Sequence, residues 1–173
     1  MTQLKSKYRT HTCGELRQVH VGQDVKLSGW ILRKRNHGGV LFIDLRDNYG
    51  VTQVVCSAES VTQLEHIRIE SVVLIEGKVV ARQTQLVNSN LETGEIEVQA
   101  MTVEVLAAAE VLPFQIADDD GAPEAIRLKS RFLELRREKL HKNIIKRSAI
   151  INEIRSLMCA EGFTEFQTPI LTS

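Results

Sequence analysis

The chain has 173 residues and carries 22 Lys and Arg against 22 Asp and Glu, so its formal net charge at pH 7 is zero. With 43% hydrophobic and 25% charged residues it has the composition of a globular protein, which excludes a wholly disordered or fibrous chain. Zero net charge also excludes a uniformly basic nucleic-acid-binding surface, but it leaves room for local basic patches. The sequence has neither a membrane-spanning apolar run nor an apolar signal-peptide core, so we expect a cytoplasmic protein without membrane partners.

From about residue 22 to 110 the pattern is rich in β-strands. Val25, Leu27 and Ile31 alternate with polar or larger residues, and Leu41, Ile43 and Leu45 do the same after a short gap. Turn residues at 47–50 predict a hairpin to a third strand, and two further strand candidates follow. A short helix is expected over residues 60–69, from capping-box spacing. Five strands with a helix between the third and fourth predict an OB-fold, although an SH3-like barrel or a partial sandwich has a similar element order.

After residue 110 the chain changes character. Pro113, Gly121 and Pro123, with aspartates at 118–120, predict a linker. A cation-rich helical stretch follows, in which Leu140 and Ile144 belong to an apolar series with helical spacing. A short strand-like run closes the sequence. This last part offers an apolar face with nothing in the sequence to cover it, so we expect the beginning of a second, truncated domain.

The residue types that usually build catalytic or metal sites do not come together in this sequence. Cys13, Cys56 and Cys159 are far apart and odd in number, which favours reduced thiols. His11 and Cys13 supply only two potential zinc ligands, and the aspartates at 118–120 lack partners for an oxygen cage. P-loop, dinucleotide-binding and G-x-S-x-G motifs are missing as well. We therefore expect no catalytic residue, metal site or cofactor in this chain.

A binding site is better supported. If Leu41, Ile43 and Leu45 fill the barrel, Phe42 points outward beside a strand that carries Arg33 and Arg35. An exposed ring next to guanidinium groups is how proteins bind single-stranded nucleic acid, by base stacking and phosphate pairing. The alternative is a register shifted by one residue, which would make Phe42 part of the core.

Polar residues on the same face are candidates for reading bases. Gln53 follows the hairpin, Arg82 ends the fourth strand candidate and Glu97 begins the fifth. Arg and Gln can each make paired contacts to a base edge, and Glu can accept a hydrogen bond from a base N–H group. Taken singly, each of these residues is more often a solvated strand residue, so the case depends on their sharing one face with Phe42.

Five sequence blocks match a known family. The chain resembles the N-terminal part of bacterial aspartyl-tRNA synthetases over essentially its whole length, through THTCGEL at 10–16, SGWILRKRNHGGVLFIDLRDNYGVTQVV at 28–55, TGEIEV at 93–98, EAIRLKSRFLELRR at 124–137 and GFTEFQTPILT at 162–172. The resemblance implies a mainly β fold, in which a five-stranded OB-fold barrel is followed by a linker, helices and the first strand of a truncated class II catalytic domain. It implies an anticodon-binding domain over 1–110, a hinge over 111–137 and the start of the catalytic domain over 138–173.

The resemblance also implies roles for individual residues. Phe42 matches the ring that stacks on the central anticodon base. The expected anticodon-binding set as a whole is Arg33, Arg35, His37, Phe42, Gln53, Arg82, Asn88 and Glu97. The last block resembles motif 1 of class II synthetases, which forms a homodimer interface, here with Ile151, Ile154, Phe166 and Pro169.

The full enzymes of this family activate aspartate with ATP and Mg²⁺ and attach it to tRNA-Asp. This chain lacks motifs 2 and 3 of that enzyme class, so we expect it to bind tRNA without catalysing the reaction. The alternative is a non-catalytic OB-fold protein that binds single strands generally and carries a helical dimerisation tail.

His37 bears on the choice of tRNA. In the family, bacterial enzymes that charge both tRNA-Asn and tRNA-Asp tend to have His in this loop, whereas strictly discriminating ones have Leu. The resemblance therefore predicts a non-discriminating parent enzyme. The alternative is that His37 is a neutral loop residue and that Arg82 with the 83–90 loop decides the discrimination.

Overall fold

In the part of the chain that the structure describes, five strands are followed by three α-helices, and two single-turn 3-10 helices lie at Gln18–His20 and Thr84–Leu86. The structure, a computed structural model, describes residues 6–57, 64, 66–118 and 121–168. Its internal contacts divide the chain into two compact units, residues 1–112 and residues 113–173.

The first unit is a closed five-stranded barrel. Its strands are β1 (Asp24–His37), β2 (Val40–Arg46), β3 (Val51–Cys56), β4 (Val72–Ala81) and β5 (Ile96–Ala107). Around the barrel they follow the order β1-β2-β3-β5-β4, and the parallel pairing of β3 with β5 closes it. The predicted OB-fold is confirmed. Of the helix expected over 60–69, residues 60–63 and 65 lie outside the described residues and Leu64 is helical, but residues 66–69 form turn and loop, so the helix ends earlier than predicted.

Alternating apolar side chains form the barrel interior. On β1 these are Val25, Leu27 and Ile31, and on β2 Leu41, Ile43 and Leu45, all of them buried. Burial of one face is what fixes the register, because a slip by one residue would expose the whole set. The residues between them therefore lie on the outer surface, as the alternation predicts for Phe42.

A β-bulge in β1 reverses its alternation at Leu32. Ile31 lies opposite Leu45, but Arg33 lies opposite Asp44, so two residues of β1 match one residue of β2. With strict alternation from Ile31, Arg33 and Arg35 would point into the barrel. The bulge instead turns Lys34 toward the interior side, where its Nζ donates to the carbonyl oxygens of Leu64 and Ile67. It thereby places Arg33 and Arg35 on the outer surface.

The N-terminal segment packs against the turn between β2 and β3. Asp47 accepts hydrogen bonds from the backbone N–H groups of Cys13, Tyr49 and Gly50 at 2.7–3.0 Å. A Cβ atom on Gly14 would lie 2.2 Å from the carbonyl oxygen of Tyr49, so this contact requires glycine. These contacts join the THTCGEL segment to the turn at 47–50.

The second unit contains α1 (Glu124–Lys129), α2 (Arg131–Glu134) and α3 (Glu138–Ala160). The predicted helical stretch is thus broken twice, at Ser130 and again before Glu138. Glu134, which is buried, forms ion pairs with Arg127 and Arg131. Helix α3 ends just before Gly162, whose φ of +87° is the left-handed conformation typical of a glycine after a helix.

The end of the described chain differs from the prediction. Residues 163–168 form no strand, since a strand needs a paired neighbour and the described part of the chain gives them none. The rest of the predicted strand, with Pro169, lies outside the described residues, as do the aspartates at 119 and 120. Among the residues that are described, no helix is long and apolar enough to cross a membrane.

Candidate nucleic-acid interface

An outward-facing row of side chains crosses all five strands of the barrel. Backbone pairing places Phe42 opposite Arg35 on one side and Val55 on the other. The row continues from Val55 to Gln99 of β5 and then to Lys78 of β4. Phe42 is half-buried and lies between Arg35 and Val55 in this row, so part of an aromatic ring is accessible on the outer surface next to a cationic side chain.

A second set of outward side chains, called here the polar row, lies next to the first and shares Arg35 with it. It consists of Arg35, Asp44, Gln53, Glu97 and Arg82. Nη2 of Arg35 donates to Oδ1 of Asp44 at 2.7 Å and to Oε1 of Gln53 at 3.4 Å. Nε2 of Gln53 donates to Oε2 of Glu97 at 3.1 Å, and that oxygen lies 3.7 Å from Nε of Arg82. The polar row thus takes one residue from each of β1, β2, β3 and β5 and one from just after β4.

Charge in the polar row is balanced, with two guanidinium groups and two carboxylates around one amide. The amide of Gln53 has its orientation fixed by its neighbours. A guanidinium can only donate and a carboxylate can only accept, so Oε1 faces Arg35 and Nε2 faces Glu97. An amide held this way presents a donor and an acceptor in a defined order, which is what paired recognition of a base edge requires.

Arg82 lies beneath this surface. Its side chain is only 4% exposed, and its Nε donates to the carbonyl oxygen of Ile96 at 2.9 Å. Burial lowers the pKa of the guanidinium, while the carboxylates of Glu97 and Asp44 oppose that shift. Its Nη2 atom is buried without a hydrogen-bond partner. Glu97, whose side chain is 24% exposed, is therefore the member of this pair that a ligand can reach.

His37 borders Phe42 at the hairpin between β1 and β2. The two ring centroids are 5.9 Å apart and the ring planes are inclined by 70°. Gly38 and Gly39 follow, both with positive φ, and the backbone N–H of Gly39 donates to Oδ1 of Asn36. Arg33 is exposed on the same strand, opposite Asp44 in the backbone pairing.

Asn88 lies in the loop between β4 and β5, where its contacts are with other residues of that loop. Its Oδ1 accepts from the backbone N–H of Asn90 at 3.0 Å, and its backbone pairs with Leu91 and Gly94. The side chain therefore organises the loop between β4 and β5. The structure brings Arg35, His37, Phe42, Gln53, Arg82 and Glu97 together, and places Asn88 in this neighbouring loop.

Sequence reasoning missed Asp44 as a site residue. The alternation places it on the outer face, but that pattern gave no reason to expect an outward carboxylate that is only 7% exposed. A usable signal was the acidic residue between Ile43 and Leu45 with arginines on the neighbouring strand, because a carboxylate in an apolar strand needs a cationic partner.

The residues predicted for an interface in the second unit are exposed. Ile151 and Ile154 lie on α3 with 38% and 55% of their surface accessible, and Phe166 follows the helix with 81% accessible. Pro169, the fourth member of that set, lies outside the described residues.

Comparison with protein families defines the class of each unit. Residues 25–106 match the OB-fold nucleic acid binding domain, and residues 123–173 match the class II tRNA synthetases of the D, K and N type. The chain therefore combines an OB-fold nucleic-acid-binding domain with a class II tRNA synthetase segment.

Comparison with individual proteins identifies the type of tRNA synthetase more closely. The chain is 57% identical to an aspartate–tRNA(Asp/Asn) ligase of Novosphingobium aromaticivorans and 56% identical to one of Caulobacter, each over 168 residues, or 96% of this chain. By its sequence the chain belongs to the aspartate–tRNA ligase family. It spans 28% of the length of these relatives.

Solved structures give the same fold. An asparaginyl-tRNA synthetase from Pyrococcus horikoshii superposes with a TM-score of 0.80 at 25% identity, over 92% of this chain and 36% of the other. An aspartyl tRNA synthetase from Entamoeba histolytica superposes with a TM-score of 0.83 at 23% identity, over 99% of this chain and 42% of the other.

Proposed function

We propose that the barrel binds the anticodon of a tRNA for an aspartate–tRNA ligase. The observation that carries this proposal is the position of Phe42 beside the polar row, on the outer face of an OB-fold that matches the nucleic-acid-binding family. A base stacked on Phe42 would have hydrogen-bonding groups of Arg35, Gln53 and Glu97 next to it. Such a face suits an unpaired base, whose ring and edge are both accessible.

Affinity on this face comes from stacking and from a few cations. Base stacking on an aromatic side chain contributes about 1–3 kcal/mol per base and tolerates any base. Arg33 and Arg35 are exposed beside Phe42, where they can pair with phosphate oxygens. Because the chain is neutral overall, binding should be moderate and should weaken as salt rises.

Chemical-shift mapping tests where RNA binds. The chain, labelled with ¹⁵N, would be titrated with an anticodon stem-loop whose loop contains GUC. We expect the perturbed amides to cluster on Arg35, Phe42, Gln53 and Glu97, and to leave β4 near Glu76 unchanged. Perturbations spread evenly over the barrel would contradict a specific anticodon face.

The choice of tRNA is the finer part of the proposal. The relatives reported above are named aspartate–tRNA(Asp/Asn) ligases, and His37 lies against the ring proposed to stack. We infer that the parent enzyme charges tRNA-Asn as well as tRNA-Asp. Charging assays with the full-length protein test this, and failure to misacylate tRNA-Asn would contradict it.

The catalytic reaction belongs to the proposal for the whole protein. It would use ATP and Mg²⁺ to activate aspartate, as the family resemblance implies. Among the described residues, no group of three His, Cys, Asp or Glu side chains is placed to hold a metal ion.

The exposed apolar face of α3 supports a homodimer as a further part of the proposal. Ile144, Ile151 and Ile154 line that face, and each is at least one-third exposed. We expect sedimentation velocity to show self-association that rises with concentration and that is weakened by Ile154→Asp. Asn152→Asp adds the same charge two residues earlier and serves as the control. Equal association of both variants would contradict the proposed interface.

A further inference from the structure

Asp44 combines two properties that rarely occur together. It lies on the outer side of the barrel, opposite Arg33 on β1 and Gln53 on β3, and yet it is only 7% exposed. A carboxylate that has lost most of its water needs a charged or hydrogen-bonding partner in compensation. Its Oδ1 has that partner in Nη2 of Arg35, at 2.7 Å.

The contact with Asp44 decides where Arg35 can be. The Arg35 side chain is 49% exposed, and a long side chain in that position would otherwise sample many rotamers. The same Nη2 atom that bonds Asp44 also reaches Oε1 of Gln53 at 3.4 Å. Asp44 therefore holds the guanidinium at the place from which it can donate to the Gln53 amide.

The orientation of the Gln53 amide depends on this arrangement. Arg35 requires an oxygen on its side of the amide, and Glu97 requires the nitrogen on the other side. If Arg35 moves away, only the contact with Glu97 remains to define the orientation. The donor and acceptor that a base edge would meet are then less well fixed before binding, and ordering them costs affinity.

We propose that Asp44 is a positioning residue for RNA recognition: it holds Arg35, and through Arg35 it fixes the donor–acceptor order that Gln53 presents to a base. Asp44 itself makes no contact with RNA in this arrangement. The inference rests on the proposed anticodon-binding function and adds to it the residue that prepares the face before RNA arrives.

Asp44→Asn tests the proposal, because it removes the charge and keeps the shape. Glu70→Gln is the matched control: Glu70 is 6% exposed, its two oxygens each accept from Nη2 of Arg46 at 3.0 Å, and neither residue belongs to the polar row. We expect Asp44→Asn to weaken binding of a GUC stem-loop by about tenfold and to reduce its preference over loops with one anticodon base changed. Glu70→Gln should change neither quantity once the folded fraction is matched.

Combining Asp44→Asn with Arg35→Met separates positioning from general stability. If Asp44 acts through Arg35, it should have no further effect on RNA affinity in the Arg35→Met background. In the free protein, ¹⁵N relaxation of the Arg35 Nε–H should show increased motion in Asp44→Asn and no change in Glu70→Gln.

The outcomes distinguish the two proposals. Additive effects in the double variant, or unchanged motion of Arg35, would overturn the role of Asp44 while the anticodon-binding function stands. If the wild-type chain does not bind the stem-loop, the proposed function fails and the role of Asp44 fails with it.

Discussion

The imidazole of His37 lies edge-on to the ring of Phe42, with centroids 5.9 Å apart. Edge-to-face contact is a favoured geometry for two aromatic rings, so His37 restrains how Phe42 is presented. The residue that the family resemblance connects with tRNA choice is thus in direct contact with the ring proposed to stack on a base. A change at position 37 can therefore alter recognition without touching RNA itself.

Replacing the stacking ring should weaken RNA binding with little effect on folding. We expect Phe42→Ala to lower the affinity for an anticodon stem-loop by about 1–3 kcal/mol, the usual contribution of one base–aromatic stack. Because Phe42 is half-buried on the outer face, the barrel core stays filled. Fluorescence titration with labelled RNA measures the affinity, and circular dichroism checks the fold.

Phe132→Ala is the matched control for that experiment. Phe132 is 70% exposed and belongs to α2, in the second unit. Its replacement should leave RNA affinity unchanged. An equal loss of RNA affinity in the two variants would mean that the effect of Phe42→Ala does not come from lost base stacking on this face.

The carboxylate of Asp47 should be important for the stability of the barrel. We expect Asp47→Ala to destabilise it by about 2 kcal/mol, because the backbone N–H groups of Cys13, Tyr49 and Gly50 lose their acceptor. Urea unfolding measures the change. Asp24→Ala, at the exposed start of β1, should change the free energy of unfolding by no more than about 0.5 kcal/mol. Similar losses in both variants would contradict this role of Asp47.

Acid should weaken the second unit through Glu134. Burial would raise the pKa of this carboxyl, but the hydrogen bonds and charges of Arg127 and Arg131 outweigh it and hold the pKa below its ordinary value. A carboxyl with a lowered folded-state pKa stabilises the fold above its unfolded pKa of about 4.3, and that contribution is lost as pH falls through the folded pKa. The Glu134 carboxylate therefore makes its full contribution to the stability of the second unit at neutral pH, and this contribution declines below about pH 4.

Thermal unfolding of the helical signal at neutral and acidic pH measures this effect. Glu134→Gln should lower the melting temperature at neutral pH and reduce its decline in acid. Glu138→Gln is the control, since Glu138 is exposed and pairs only at the surface with Lys142. The prediction fails if the two variants show the same pH dependence.

The three cysteines should differ sharply in reactivity. Cys159 is exposed, whereas Cys13 and Cys56 are buried in the barrel. Burial raises the pKa of the Cys56 thiol to about 11 and raises that of Cys13 well above its ordinary value, with Asp47 adding to the effect at Cys13. Thiolates are the reactive form, so both thiols should be inert at neutral pH.

Maleimide labelling followed by mass spectrometry tests this predicted difference in reactivity between Cys159 and the two buried cysteines. We expect one fast modification at neutral pH, abolished by Cys159→Ser, and two more only after unfolding. Rapid labelling of Cys56 in the folded chain would contradict its position in the barrel.

The sequence predicted the barrel because its strands alternate clearly. Leu41, Ile43 and Leu45 mark one face of β2, which predicts Phe42 on the other face, and their burial excludes the alternative register shifted by one residue. The hairpin at Asp47–Gly50 was recognisable because turn residues cluster between two strands. Local patterns of this kind carry most of the information about an OB-fold.

The polar row could be predicted only in part. The bulge at Leu32, which turns Arg35 outward, leaves no mark in the alternation, because it is defined by pairing with β2. Burial of Arg82 depends on the loop that follows β4, which sequence periodicity does not describe. Asp44 is recognisable in the sequence as a carboxylate in an apolar strand, but its pairing with Arg35 is known only from the distance between them. These features come from contacts between strands, so they require the structure.

The most direct test of the account is fluorescence anisotropy of this chain with three labelled stem-loops, whose loops contain GUC, GUU or a scrambled anticodon. We expect comparable binding to GUC and GUU, weaker binding to the scrambled loop, and loss of the difference in Phe42→Ala. Equal affinity for all three loops would contradict anticodon recognition and would instead indicate an OB-fold that binds single strands without sequence preference.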